Sequence, residues 1–447
     1  MSLKIVNTSY GKIAGIEKEE YTLFKGIPYA KPPVGNLRWK APQKLEPWTG
    51  IYQANAFSCK SMQEEMDMPF YDKEFYSSPE YSVKSSEDSL YLNIWTPAKK
   101  TDDKLPVVFW IHGGAFMGGY GSEIEFDGEK YCQEKVILVT LNYRLNIFGF
   151  LAHPWFCEES EHHVAGNYGI LDQIAALKWV KNNIQNFGGD PDNITVMGQS
   201  AGAMSVQTLI CSPLTGNNII AKAVMQSGGG YDNRMNDKLT LTEALEYGKI
   251  FVDMTGARTV EELRNKSSDE LYQTLGKFMK IMMERGSGLT FKPIIDGYVL
   301  EKFYDELIEE GKVKKIPYLL GSNKNDIFVD KKDADAGTKS RLYQGCVAFS
   351  HKLVKMGHAA PYVYYFKRNL PGDDAGAFHS SELWYTFGSL KRCWRPMTRA
   401  DYALSQRMVE YWTEFARTGN PNKRDDPCWK PCTLEEPFVM EFDVAKE

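Results

Sequence analysis

The stretch from residue 105 to 200 constrains this chain more than any other. "LPVVFWI" at 105–111 and "VILVTL" at 136–141 are almost unbroken apolar runs, and "NITVM" at 193–197 is a third. A strand with one wet face would alternate apolar and polar residues. These runs do not, so both faces must be covered. Between the second and third lies "NYGILDQIAALKWVKNNIQNFGG", where Ile170, Ile174, Leu177 and Ile184 recur at helical spacing. Strand, helix and strand in this pattern predict an α/β fold: a large, mostly parallel central sheet flanked by helices.

"LYLNIW" at 90–95, "IPYLLGSN" at 316–323 and "PYVYYFKRN" at 361–369 continue the strand character. Strands spread this widely predict one sheet, and one domain over residues 1–447, rather than two. Residues 1–16 alternate around glycines and read as a small hairpin. The prolines and glycines of "FKGIPYAKPPVGNLRWKAPQ" (24–43) argue against long regular structure there. Residues 60–88 show no clear period and read as a long surface loop. Residues of about 231–292 read as a helical excursion, a cap over the sheet. Thr259 with Glu262 and Ser267 with Glu270 have capping-box spacing, and Leu271, Leu275 and Met279 follow at helical intervals. "YALSQRMVEYWTEFARTGNPN" (402–422) is an amphipathic helix ended by Gly419 and Pro421.

Several classes are disfavoured. The net charge is −5 with both signs interspersed, so no nucleic-acid partner is expected. No apolar run approaches the 18 or so residues of a membrane span. The N-terminus lacks an apolar export core, which predicts a cytoplasmic protein, bacterial in character. The eight cysteines are scattered, without paired C-x-x-C spacing. They read as reduced thiols, with neither structural zinc nor a disulfide framework. No cofactor or metal is expected. The expected partner is a small-molecule substrate, and the expected state a monomer or weak homo-oligomer.

The chemistry centres on "NITVMGQSAGAMS" at 193–205. A serine hydroxyl attacks a carbonyl only if its proton is removed and the resulting charge is stabilised. Gly198-Gln199-Ser200-Ala201-Gly202 alone is as often a plain turn. Its setting, β-branched strand before and helix start after, raises Ser200 above a sheet edge. "WIHGGAFMGG" (110–119) adds unobstructed backbone N–H groups after another strand, candidates for holding an oxyanion. Among seven histidines, His379 in "GDDAGAFHSSELWYTF" suits a base held at a pocket. His162 and His163 read as solvated. Asp326 is the first carboxylate after the 316–323 strand, ahead of Asp330 and Asp333 in a charged run. The order Ser200, Asp326, His379 is that of α/β-hydrolases, not of chymotrypsin-like or subtilisin-like enzymes.

From about Gly15 to Asn422 the chain resembles the type-B carboxylesterases of the α/β-hydrolase superfamily. That family includes bacterial p-nitrobenzyl-type esterases and the cholinesterases. The resemblance rests on "FKGIPYAKPPVGNLRW", "SEDSLYLNIW", "HGGAFMGG", "NYRLNIFGFL", "GNYGILDQIAALKWVKNNIQNFGGDP", "GQSAGA", "QSGG", "GSNKND", "AFHSSELWYTF" and "YWTEFARTGNPN", in order. It implies that Ser200 is the nucleophile, His379 the base and Asp326 the acid, where the family usually has Glu. It assigns the oxyanion hole to Gly114, Ala115 and Ala201. Arg38 and Glu87 match a structural ion pair, and Ser227 a serine supporting the site from behind. The implied activity is hydrolysis of short-chain alkyl, aryl or hydroxycinnamoyl esters. Amide or carbamate hydrolases share these motifs, as do some non-catalytic interaction proteins.

The departures from the family are informative. Gln199 stands where the family usually carries Glu, which removes a charge beside the nucleophile. Cys59 faces Ser89, so the family's disulfide there cannot form. The stretch from Asp326 to His379 is shorter than usual, predicting a more open pocket or one completed by residues 60–88. Met62, Met66, Met68, Phe70, Tyr71, Phe75 and Tyr76 would supply that wall. With His379 at its ordinary pKa, activity is expected to rise with pH through roughly 6–7.

Overall fold

The computed structural model describes residues 3–64, 68–233, 237–423 and 429–444. A ten-stranded sheet runs through it. Its central and C-terminal part is parallel. Leu105–Ile111 pairs with Ile137–Leu141 on one side and Gly189–Gln199 on the other. Beyond Gly189–Gln199 follow Lys222–Gln226, Tyr318–Asn323, Tyr362–Phe366 and Met440–Phe442, each parallel to its neighbour. The apolar runs are buried as their lack of alternation requires, with Val107, Phe109, Ile137, Val139, Ile194 and Val196 inaccessible to solvent.

The other edge is antiparallel. Tyr91–Thr96 runs against Ile137–Leu141 and against Thr22–Pro28, and Ile16–Glu17 closes the edge. The composition of 24–43 hid a seven-residue strand here. Gly26 does not break it. The register shifts between Phe24 and Ile27, Gly26 takes φ +66°, and its N–H is satisfied by Asn93 Oδ1 at 2.9 Å. A bulge near a sheet edge tolerates the glycine that a flat strand would not. The N-terminal hairpin forms between Ile5–Asn7 and Lys12–Ala14, and Ile51–Gln53 adds a third strand to it.

The helix Tyr168–Asn183 buries Ile170, Ile174 and Leu177 as their spacing predicted. On the same helix, the buried Asp172 carboxylate grips Arg144 through two hydrogen bonds of 2.7 Å. Removing one partner of such a pair typically costs about 3–5 kcal/mol, because the other charge stays buried. Arg38 and Glu87 also pair, and Arg38 Nη1 donates to the carbonyls of Arg264 and Lys266. The strands' neighbours in the 231–292 region are helices Leu241–Thr255, Val260–Arg264 and Ser268–Glu284. Ser267 and Glu270 form a full capping box. Thr259 caps Glu262 N, but the Glu262 carboxylate turns to Arg258 N instead. Thr240 with Glu243 makes a second box that spacing alone had not singled out. The last long helix, Arg399–Thr418, ends at Gly419 with φ +83°.

Residues 60–88 are more ordered than their aperiodic sequence suggests. Lys60–Ser61 pairs with Ser85–Ser86, and 69–76 form helical turns that bury Glu74 and Phe75. Glu74 is only 3% exposed, and Arg395, Trp384 Nε1 and Trp394 Nε1 all donate to its carboxylate. No local period can reveal an anchor whose partners lie more than three hundred residues away.

Candidate active site

The site gathers where the parallel strands end. Ile111 leads into the glycine loop, Gln199 into Ser200, Gln226 into Ser227 and Asn323 into Asp326. The chain visits Ile137–Leu141 before returning to the far side of Leu105–Ile111 as Gly189–Gln199. That reversal of strand order opens a crevice at the carboxyl ends, the usual binding place in such sheets.

Ser200 sits at the junction of the Gly189–Gln199 strand and the Ala201–Cys211 helix, at φ 56° and ψ −124°. This backbone is strained for a residue with a side chain, by on the order of 1–3 kcal/mol. The flanking glycines make it reachable. A Cβ on Gly198 would lie 2.4 Å from the Gly202 carbonyl, and one on Gly202 2.0 Å from the Ile111 oxygen. Ser200 N donates to Gln226 O at 2.8 Å, which pins the turn to the next strand. The hydroxyl thereby lines a cavity of about 650 Å³ at the head of a helix.

Gly113, Gly114, Ala115 and Ala201 line the same cavity. Gly114 (φ +98°) and Ala115 (φ 54°) turn sharply, and the Gly114 carbonyl is held by the N–H groups of Met117 and Gly118. Gln63 braces the loop: it accepts from Gly119 N and donates to Gly119 O, both at 2.9 Å. Its part was not legible, because Gln63 lies in the aperiodic 60–88 stretch. His112, at the start of the loop, stacks on Tyr143, and burial lowers its pKa to about 4, leaving it neutral.

Asp326 and His379 meet. Asp326 Oδ1 accepts from His379 Nδ1 at 2.6 Å, and the aspartate side chain is fully buried. Its other oxygen accepts from Ser227 Oγ at 2.7 Å and from Asn323 N at 2.8 Å. The shorter side chain therefore still reaches the imidazole. Asp330 and Asp333 are exposed, as their charged surroundings suggested. Below the pair lies Glu382, unnoticed in the sequence. It accepts from Asn323 Nδ2 and Gln226 Nε2, and burial pushes its carboxyl up to about 7. For His379, burial favours the neutral form. The charge and hydrogen bond of Asp326, with Glu382 behind, outweigh burial, so its pKa is raised above 6.5.

Ser200 and His379 share the cavity, but no hydrogen bond joins Ser200 Oγ to the imidazole among the described residues. Gln199 takes that place, with Nε2 3.2 Å from His379 Nε2. An amide donor there fits an imidazole that carries its proton on Nδ1 and a lone pair on Nε2.

One wall comes from the 60–88 stretch. Met68, Tyr71, Phe75 and Tyr76 line the cavity, and Tyr71 OH donates to His379 O at 3.2 Å. Phe70 lies outside it against Phe378, Met62 packs into the main core, and Met66 falls outside the described residues. Leu289 and Lys292, after helix Ser268–Glu284, add to the lining.

Sheet order, crossovers and the strand-to-helix serine turn define the α/β-hydrolase fold. The family model of the carboxylesterase family matches residues 2–345 and 330–447. The para-nitrobenzyl esterase of Bacillus subtilis is 33% identical over 473 residues, 94% of this chain and 91% of that protein. Carboxylesterase 1E of Rattus norvegicus is 31% identical over 521 residues, 98% of this chain and 90% of that protein. Among solved structures, a thermophilic pNB esterase superposes with a TM-score of 0.85 at 30% identity, covering 99% of this chain and 96% of the other. The chain belongs to the carboxylesterase family. Among the described residues no helix is long and apolar enough to cross a membrane.

Proposed function

We propose that this carboxylic ester hydrolase works through an acyl-enzyme on Ser200, with Asp326 and His379 completing the machinery. One observation carries the reading: a fully buried carboxylate bonded at 2.6 Å to His379 Nδ1, beside the cavity that Ser200 lines. The bond fixes the tautomer whose Nε2 can accept a proton. His379 takes the hydroxyl proton as Ser200 Oγ attacks the ester carbonyl. Negative charge collects on the carbonyl oxygen, opposite the N–H groups of Gly114, Ala115 and Ala201. Collapse breaks the ester bond, and the leaving alcohol takes the proton from His379. Water then attacks the acyl-enzyme with the same base, and the acid departs. For His379 to accept the serine proton, the Gln199 amide must first give up Nε2.

The lining is largely apolar, with Tyr71, Phe75, Leu289, Phe328 and Leu383. It suits alkyl, aryl or hydroxycinnamoyl esters. A reducing compartment, the cytoplasm, accords with Ser89 standing where Cys59 would need a partner cysteine. Ser89 is engaged by Ser61 Oγ at 2.9 Å, and Cys428 lies outside the described residues.

The pH profile tests the base. Only neutral His379 can accept the serine proton, and its pKa is raised. Activity is therefore absent well below that pKa and appears as pH rises through it. The kcat/KM for a p-nitrophenyl ester should rise with a midpoint above 6.5, higher than an unperturbed histidine gives. A midpoint at or below 6.5 would show that Asp326 does not stabilise the imidazolium.

A further inference from the structure

One contact in the site works against the chemistry. Gln199 is only 2% exposed, lines the cavity, and sets Nε2 3.2 Å from His379 Nε2. Both side chains are held from behind. Gln199 ends the Gly189–Gln199 strand, in register with Gln226 of the next strand. The His379 ring is fixed at its other nitrogen by Asp326. An amide nitrogen only donates, so the contact is a hydrogen bond only while His379 Nε2 keeps its lone pair. Asp326 leaves the lone pair there by accepting from Nδ1–H. Turned over, the amide would set its oxygen against that lone pair, so the neutral ring selects the orientation seen. Ser200 Oγ needs the same lone pair and makes no hydrogen bond among the described residues.

Three states of His379 meet this amide differently. The neutral ring accepts from it. The protonated ring has no lone pair to offer, and its Nε2–H would meet another N–H. A ring engaged with Ser200 has its lone pair already taken. The bond therefore stabilises one state alone, the neutral ring of the empty enzyme. A donor to the neutral form lowers the affinity of His379 for a proton. It also adds a bond that must break before Ser200 can lose its proton.

Building on the proposed Ser200 chemistry, we propose that Gln199 is a positioning residue that parks the base: its amide occupies His379 Nε2 in the empty enzyme, and acylation begins only when this bond breaks. The titratable groups facing His379 are Asp326 and Glu382, and the Tyr71 hydroxyl donates to its carbonyl. Glu123, Glu125, Asp237 and Lys292 line the same cavity. A change confined to Gln199 leaves all of these in place, so their effects cancel between variants.

Gln199→Met keeps the length of the side chain and removes the donor. The readout is kcat/KM for a p-nitrophenyl ester across the His379 midpoint, with spontaneous hydrolysis subtracted. Losing a hydrogen bond of ordinary strength should raise the high-pH plateau about 3- to 10-fold. The midpoint should move up by the logarithm of the same factor, about 0.5 to 1 pH unit. On the acid limb the two profiles should coincide, because the protonated ring never held the bond. A merely structural role would lower both limbs together. An unchanged plateau and midpoint in Gln199→Met would overturn the parked base, as would a lowered plateau in the folded variant. A second measurement stands even if that variant does not fold: the His379 ring is titrated by NMR in the unmodified enzyme and in Ser200→Ala. Equal midpoints are expected, because Gln199 and not Ser200 holds Nε2. A midpoint that rises in Ser200→Ala would show that the serine hydroxyl was the donor, and would overturn the proposal. Ester turnover that survives in Ser200→Ala would count instead against the Ser200 chemistry.

Discussion

Replacing Ser200 with alanine is expected to lower kcat for a p-nitrophenyl ester by on the order of 10⁶-fold while leaving the fold intact. The size follows from the chemistry. Without Oγ no acyl-enzyme forms, and hydrolysis must proceed by direct attack of water. What survives is the contribution of the oxyanion donors and of substrate binding, typically 10³- to 10⁴-fold over the uncatalysed reaction. The fold should tolerate the change, because Ser200 Oγ makes no hydrogen bond among the described residues and the alanine Cβ occupies the same strained position. Circular dichroism and a thermal melt of the variant check this. A variant that keeps more than a few per cent of its activity would place the nucleophile elsewhere.

Replacing Asp326 with asparagine is expected to cost about 10⁴-fold in kcat. The carboxylate has two separable effects. It accepts from His379 Nδ1–H, so the lone pair sits on Nε2, and it opposes the positive charge that the imidazole acquires in the transition state. An asparagine amide oriented to donate toward Nδ1 would reverse the tautomer. Ser227 Oγ and Asn323 N both donate to Oδ2. They select the orientation in which the asparagine oxygen takes Oδ2's place, leaving the NH₂ group facing the imidazole. The geometry thus makes the wrong tautomer the favoured one. The raised pKa of His379 should disappear in the same variant, shifting any residual pH midpoint downward. Near-normal turnover would mean that another carboxylate orients His379. Glu382 is the nearest rival, but it is occupied by Asn323 and Gln226.

Much of this arrangement was legible because it depends on local order. Unbroken apolar runs gave the central strands, and the glycines about Ser200 gave the sharp turn. Its place as the first carboxylate after the 316–323 strand then singled out Asp326 over its exposed neighbours. What stayed hidden depends on partners remote in sequence. Glu74 reads as one more surface acid until Arg395 and two tryptophans surround it. Gln63 braces the glycine loop across 56 positions. Gln199 could be seen as a departure from the family. Its contact with His379 Nε2, 180 positions away, could not. Glu123 and Glu125 carry no periodic or spacing signal, and only the fold brings them to the cavity wall.

The covalent intermediate offers the most direct test of the account. The enzyme is mixed with a p-nitrophenyl ester, quenched within the burst of p-nitrophenol release, and digested for peptide mass spectrometry. One acyl group per chain is expected, located on Ser200 within "NITVMGQSAGAMS" and missing from the Ser200→Ala variant. An acyl group on any other residue, or a stoichiometric burst with no acylated peptide, would contradict it.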